Sequence, residues 1–305
     1  MIDTGGKFVI TGGAGFIGSN LAGALATENE VVVIDDLSSG KIENLAGLDV
    51  KFVRGSVTDI ELLRDAFAGA ECVFHQAAVA SVPKSVEDPI GTSRIGIEGT
   101  LNVLVAARDA GIDRIVYASS SAIYGDSDQL PKSEDMCPDP KSPYAVSKLA
   151  GERFCSVFNE LYGMKNIALR YFNTYGPRQD PNSEYAAVIP RFISALLKGE
   201  LPIIYGDGEQ TRDFVYVMDV VRANILASNS RSVGVCNIAS GKSISLNRLV
   251  RIIWKDAVMP IYAEPRPGDV RHSLADISKA EKIGYMPAYT IEEGLRDTIR
   301  WFSER

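Results

Sequence analysis

The stretch that decides the fold is residues 11–26, TGGAGFIGSNLAGALA. It follows a short apolar run, KFVITGG, that reads as a buried strand. It continues into an amphipathic segment that reads as a helix over about 16–26. Gly12, Gly15 and Gly18 therefore come right after the strand, through the turn and into the start of the helix. Glycine lets a backbone turn tightly and approach a pyrophosphate, and the first N–H groups of the following helix point at that anion. A second run, EVVVIDD, ends in Asp35, at the spacing where a carboxylate meets the hydroxyls of an adenosine ribose. An acid there repels a 2′-phosphate, so the pattern predicts NAD rather than NADP. Ser56 and Val57, in GSVTD after the third strand, are the candidate neighbours of the adenine. A glycine-rich turn with an acidic strand end is the plainer alternative.

Working outward, strands and helices alternate. VKFVRGS is a third strand, DIELLRDAFAG a helix and CVFHQAA a strand. One long amphipathic helix is predicted over IGTSRIGIEGTLNVLVAARDAG, then a strand over RIVYASSS and another over KNIALRYF. Such alternation predicts an α/β fold, a Rossmann-type doubly wound parallel sheet. After residue 173 the rhythm changes. GPRQDPNS reads as a loop, AVIPRFISALLKGE as a helix and LPIIYG as a strand. RDFVYVMDVVRANILAS reads as a strand and helix returning to the first unit. The expected organisation is a dinucleotide-binding domain over 1–173, with 212–238 returning to it, and a smaller interwoven α/β substrate domain over 174–305.

The bulk numbers narrow the classes. The 305 residues suit one large or two joined domains. A net charge of −7 gives no footprint for nucleic acid or an anionic membrane surface. No apolar run approaches the ~18 residues of a membrane span, and the N-terminus lacks the zones of a signal peptide. Cys72, Cys137, Cys155 and Cys236 are scattered, and His75 and His272 are the two histidines. A cytoplasmic protein with no metal site is expected.

The chemistry enters with SPYAVSK, residues 142–148. Pro143 suits the first turn of a helix, and positions four apart share a helix face, so Tyr144 and Lys148 point the same way. A nearby ammonium favours a phenolate, which would pull the Tyr144 pKa below its ordinary ~10. A helix with one surface tyrosine and one surface lysine is the bland alternative.

Taken together, TGGAGFIGSNL, HQAA, SSSAIYG, SPYAVSK, LRYFNTYGPRQ, RDFVYVMD and RPGDVRHS resemble the extended short-chain dehydrogenase/reductases, and among them the UDP-glucose 4-epimerase type. The resemblance covers nearly the whole chain. It implies that Tyr144 is the proton-abstracting tyrosine, that Lys148 binds the nicotinamide ribose and tunes it, and that Ser120 is the catalytic serine, with Ser121 in support. A strand-end turn bonding its own backbone is the alternative for these serines. It further implies cofactor contacts from Phe16, Ile17, Asp36, Ser39, Gly40, Gln76, Ala77, Ala78 and Phe172. It places Asn173, Val188, Tyr205, Arg212, Arg266, Asp269 and Ser273 at a UDP-sugar. The implied reaction inverts carbon 4 of a UDP-hexose through a transient 4-keto sugar, with NAD as cofactor and a homodimer as the assembly.

Two positions sharpen that expectation. Ala122 stands where related dehydratases and decarboxylases carry an acid, which argues against both reactions. Ser273 stands where hexose-only epimerases carry a tyrosine, so N-acetylhexosamine substrates are expected as well. Gly96 and Ala80 depart from the family pattern, where many members have asparagine and some have lysine, and this bears on how tightly NAD is held. The alternatives are another UDP-sugar enzyme, such as a uronate 4-epimerase, and a non-catalytic NAD-binding regulator.

Overall fold

A computed structural model describes residues 5–181, 187–255, 258–265 and 270–304. Seven strands form one parallel sheet: β1 (Lys7–Thr11), β2 (Glu30–Asp35), β3 (Lys51–Arg54), β4 (Cys72–His75), β5 (Ile115–Ser120), β6 (Ile167–Tyr171) and β10 (Gly234–Ile238), in the order β10-β6-β5-β4-β1-β2-β3. Every pairing is parallel, with Thr11 opposite both Ile34 and His75. The strand order reverses between β1 and β4. In open sheets of this kind a ligand sits at such a switch point, beyond the carboxyl ends of the strands. Gly12, Asp35, His75 and Ser120 all lie at those ends.

Helices cover both faces. α1 (Phe16–Leu25) and α8 (Val217–Asn229) pack on one, and α2 (Ile60–Phe67), α5 (Gly99–Asp109) and α6 (Pro143–Tyr162) on the other. The sheet is buried on both sides, which is why its strands are continuous runs of Val, Ile and Phe instead of alternating ones. Two short helices, α3 (Val82–Glu87) and α4 (Pro89–Ser93), precede α5.

The long helix predicted over 90–111 is not regular. Between α4 and α5 the residues Arg94–Glu98 form a π-turn. A Cβ on Gly96, in that turn, would press on the Ser147 side chain of α6, 2.7 Å from its Oγ. The departure from asparagine at Gly96 thus coincides with close packing of this segment on the Tyr144 helix.

The remaining elements build a smaller layer. β7 (Asn173–Tyr175), β9 (Thr211–Tyr216) and β11 (Ser243–Ser245) form a three-stranded sheet, and β8 (Ile203–Tyr205) pairs with β12 (Ile261–Ala263). α7 (Val188–Lys198), α9 (Leu246–Trp254) and α11 (Ile291–Ser303) close a separate core around Phe192, Phe214 and Trp254, and α10 (Ser278–Glu281) lies beside β10. The chain rejoins the large sheet through α8 and β10, whereas β9 belongs to the small sheet. Among the described residues no helix is long and apolar enough to cross a membrane.

Candidate active site

The glycine turn is closed by contacts that exclude side chains. Gly12 adopts φ +68°, and a Cβ there would lie 2.6 Å from the backbone nitrogen of Ala77. A Cβ on Gly18 would run into the Gly12 carbonyl oxygen. Asp35 closes the end of β2, where its carboxylate accepts from the N–H groups of Ala14 (3.0 Å) and Leu37 (2.8 Å). Burial still raises its pKa above the ordinary value, against those bonds. A Cβ on Gly40 would lie 2.7 Å from this carboxylate.

Beside the turn is a cavity of about 420 Å³ lined by Gly12, Asp35, Asp36, Ser39, Ser56, Val57, Ala77 and Ala78. It shares Gly12, Asp35, Ser39, Ala77 and Ala78 with a second of about 500 Å³, lined also by Gly15, Phe16, Ile17, Gly18, Gln76, Tyr144 and Lys148. Tight glycines, a helix N-terminus and a strand-end acid along one elongated cavity fit a dinucleotide. The Gln76 amide also bonds the Tyr171 hydroxyl and Asn224. Phe172 is buried against the Tyr124 ring and lines neither cavity.

Sequence reasoning missed the far wall of this cavity. Lys41 and Asp180 both line it and form an ion pair of 2.9 Å. Arg178, at φ +70°, donates from Nη1 to the Ser19 carbonyl at 2.6 Å, and Asn44 donates to the Ala14 carbonyl at 2.9 Å. Only Arg178 and Asp180 lie in a stretch read from the sequence, the GPRQD loop, and its charges are as easily read as solvated.

Tyr144 and Lys148 do share a face of α6. Ser142 caps this helix, accepting from the Ala145 N–H, and Pro143 occupies its first turn. Lys148 is buried. Its Nζ donates to the Ala118 carbonyl at 2.6 Å and lies 5.9 Å from the Tyr144 ring centre and 5.0 Å from that of Tyr117. The expectation that the lysine pulls the tyrosine's pKa down is corrected here. Burial raises the Tyr144 pKa above 10, and the Ser120 hydroxyl, not Lys148, is the neighbour that draws it back. Burial likewise lowers Lys148 to about 8, against the opposing pull of Glu152. Desolvation disfavours the charged form of both groups and outweighs the pull of Ser120 on the one and of Glu152 on the other.

Ser120 ends β5 and caps a short 3₁₀ turn, Ser121–Tyr124, its Oγ accepting from the Ala122 N–H at 3.1 Å. The plainer reading of the serines as a self-bonding turn is thus met for Ser120 alongside its approach to Tyr144. Beneath the site His75 is fixed in one neutral form. Thr100 donates to the Gly96 carbonyl, so it accepts from His75 Nε2–H (3.0 Å), and Nδ1 accepts from Thr11 (2.7 Å). Burial, and then Lys148, lower its pKa to about 3.

A third cavity, of about 260 Å³, is lined by Asn173, Val188, Tyr205 and Arg212, with Arg191 and Gln210. Ala187 lines both this cavity and the one holding Tyr144, so the two adjoin. The Arg191 guanidinium sits 5.4 Å from the Tyr205 ring centre, and Arg212 Nη1 donates to the Thr211 carbonyl at 2.9 Å. Ser273 lines none of these cavities; its N–H donates to the Thr211 carbonyl, next to Arg212. Arg266 and Asp269 lie outside the described residues. Among the described residues no cluster of His, Cys, Asp and Glu could hold a metal ion.

Comparison with known proteins gives the family of this fold. The model of the NAD dependent epimerase/dehydratase family matches residues 8–239. The chain is 38% identical to the UDP-glucose 4-epimerase of Mycolicibacterium smegmatis over 312 residues, covering 98% of this chain and 99% of that one. Its fold superposes with a TM-score of 0.96 on a UDP-N-acetylglucosamine 4-epimerase from Methanobrevibacter ruminantium, solved in complex with UDP-N-acetylmuramic acid, at 45% identity and 99% coverage of both chains. The UDP-glucose 4-epimerase of Thermotoga maritima, solved with UDP-glucose, gives 0.93 at 40% identity, over 98% of this chain and 99% of that one. The chain therefore belongs to the NAD-dependent epimerase/dehydratase family, as an extended short-chain dehydrogenase/reductase of the UDP-sugar 4-epimerase type with NAD as its cofactor.

Proposed function

We propose that this enzyme inverts carbon 4 of UDP-hexoses, interconverting UDP-glucose with UDP-galactose and the corresponding N-acetylhexosamine pair. The observation that carries the reading is the meeting of Ser120, Tyr144 and Lys148 at the carboxyl end of the sheet, between the glycine cradle and the cavity of Arg191 and Arg212. Gly12, Gly15, Gly18 and Asp35 would hold NAD, which supplies a hydride acceptor at carbon 4 and a cationic ring.

The residues divide the work. Arg212 and Arg191 bring cationic planar forks to the diphosphate, a geometry suited to two oxygens at once. Tyr205 and Val188 offer an apolar wall to the uracil. Tyr144 takes the proton from the 4-hydroxyl, with Ser120 drawing the phenol toward ionisation, and returns it to the 4-oxygen of the inverted sugar. Lys148 supplies the positive charge that stabilises the phenolate as it forms. Ala122 offers no carboxyl for elimination or decarboxylation, which supports epimerisation among the family's reactions. In this reading the large sheet with its helices serves the cofactor, and the smaller layer, β9 with Arg212 included, serves the nucleotide sugar. A homodimer is supported by the exposed apolar residues Val146, Val157 and Leu161 along α6.

The test is product analysis after incubation with NAD and either UDP-glucose or UDP-N-acetylglucosamine. Both 4-epimers should form at unchanged mass. Turnover of UDP-glucose with none of the N-acetyl sugar would remove the wider substrate range. Loss of water or carbon dioxide would replace the reaction itself.

A further inference from the structure

The end of β5 is latched to α6 at three consecutive residues. The Ala118 carbonyl accepts from Lys148, the Ser119 hydroxyl donates to Glu152 Oε1 at 2.6 Å, and the Ser120 hydroxyl approaches Tyr144. Tyr144, Lys148 and Glu152 follow one another at four-residue steps on one helix face. Glu152 is itself gripped from behind. Arg170 of β6 donates to its two oxygens from Nε and Nη2, both at 2.8 Å, and each side chain is only 4% exposed. The Arg170 guanidinium lies 4.8 Å from the Tyr124 ring centre, so it is packed as well as paired.

Burying an ion pair this deeply is costly, and well-packed apolar side chains would often be as stable. The pair therefore invites a reason beyond stability. Lys148 is faced by His75 from β4, which is neutral, by Tyr117 from β5, and by Tyr144 and Glu152 from α6. Of these groups, Glu152 brings the negative charge that opposes the burial of the ammonium.

We propose that Glu152 is a positioning residue for the reaction: through Arg170 and Ser119 it fixes the end of β5 against α6, and its carboxylate keeps the buried Lys148 charged beside Tyr144. The inference rests on the roles given above to Tyr144 and Lys148.

Glu152→Gln keeps the shape and removes the charge. Its alkaline loss of kcat should move to lower pH by about one unit, close to a tenfold fall at a pH just above the wild-type limb. The titration of the Lys148 ammonium, read from the carbon resonance of its ε-methylene and assigned by difference against Lys148→Met, should likewise move about one unit lower than in the wild type. A purely structural role predicts the reverse, because loosening admits water and returns the lysine toward its higher ordinary value. Glu152→Gln leaves Arg170 unpaired, so the doubly neutral variant Glu152→Gln/Arg170→Met, which also removes the Arg170 cation, should show both shifts in the same direction but smaller. Unmoved or reversed shifts in a folded variant overturn the proposal. The resonance titration needs no substrate, so it decides the role of Glu152 even if wild-type turnover is absent, an outcome that would instead defeat the epimerase reading.

Discussion

The Nζ of Lys148 donates to the Ala118 carbonyl at 2.6 Å, tying the second turn of α6 to the end of β5. The ammonium is thereby held at a fixed place, 5.9 Å from the Tyr144 ring centre, yet out of water. Position and desolvation arrive together, and together they set the ionisation of the site.

The pH dependence follows. Lys148 titrates near 8 in the fold against an ordinary 10.5. kcat should fall as pH rises through about 8, because the cation that stabilises the Tyr144 phenolate is lost. Stability should move the other way. Between 8 and 10.5 the unfolded chain binds the proton that the native state has released, so this residue makes stability rise with pH across that window. Lys148→Met should remove this part of the slope, read from thermal midpoints over the same pH range.

Tyr144→Phe removes the base and keeps the ring. Turnover should drop by roughly 10²–10⁴-fold, the usual contribution of a positioned acid–base group. NAD binding, followed by calorimetry, should change little, because the glycine cradle and Asp35 are untouched. Retained turnover would refute the assignment.

At Gly12 the backbone is at φ +68° and the space for a Cβ is filled by Ala77. Gly12→Ala should destabilise the fold by about 1–3 kcal/mol. It should also weaken NAD binding more than any change to the sugar cavity does. Denaturant unfolding with and without NAD separates the two effects, since a ligand that no longer binds no longer stabilises.

Arg212→Ala should raise KM for the UDP-sugar at least tenfold, the scale of a charged hydrogen bond to phosphate of about 1.5–3 kcal/mol. kcat should fall less, because the residue sits with Asn173 and Tyr205 and away from Tyr144. Steady-state kinetics at saturating NAD measure both.

How much of this was legible in the sequence depended on how local the determinant is. The glycine turn, Asp35 and the i, i+4 pair of Tyr144 and Lys148 are each set by spacing within one unit, and the structure places them as that spacing dictates. The direction of the Tyr144 shift was not legible, because spacing shows a neighbour but not the loss of water around it. The ion pair of Glu152 and Arg170 was invisible for a related reason: helix packing on the sheet, not sequence proximity, brings the two together. The π-turn at Arg94–Glu98 lies inside a stretch that reads as one plain helix, so its backbone and not its sequence reveals it. β7, three residues long and separated from β6 by Phe172 alone, is too short for any pattern to announce.

The central claim is inversion by transient oxidation at carbon 4, and the fate of the hydrogen on that carbon tests it most directly. The enzyme would be incubated with NAD and UDP-glucose in heavy water, and the UDP-galactose formed would be read by proton resonance and mass. The account predicts a product that keeps its original hydrogen at carbon 4, with no solvent deuterium there, since Tyr144 exchanges only the hydroxyl proton. Deuterium on carbon 4, or a product lighter by water or carbon dioxide, would contradict it.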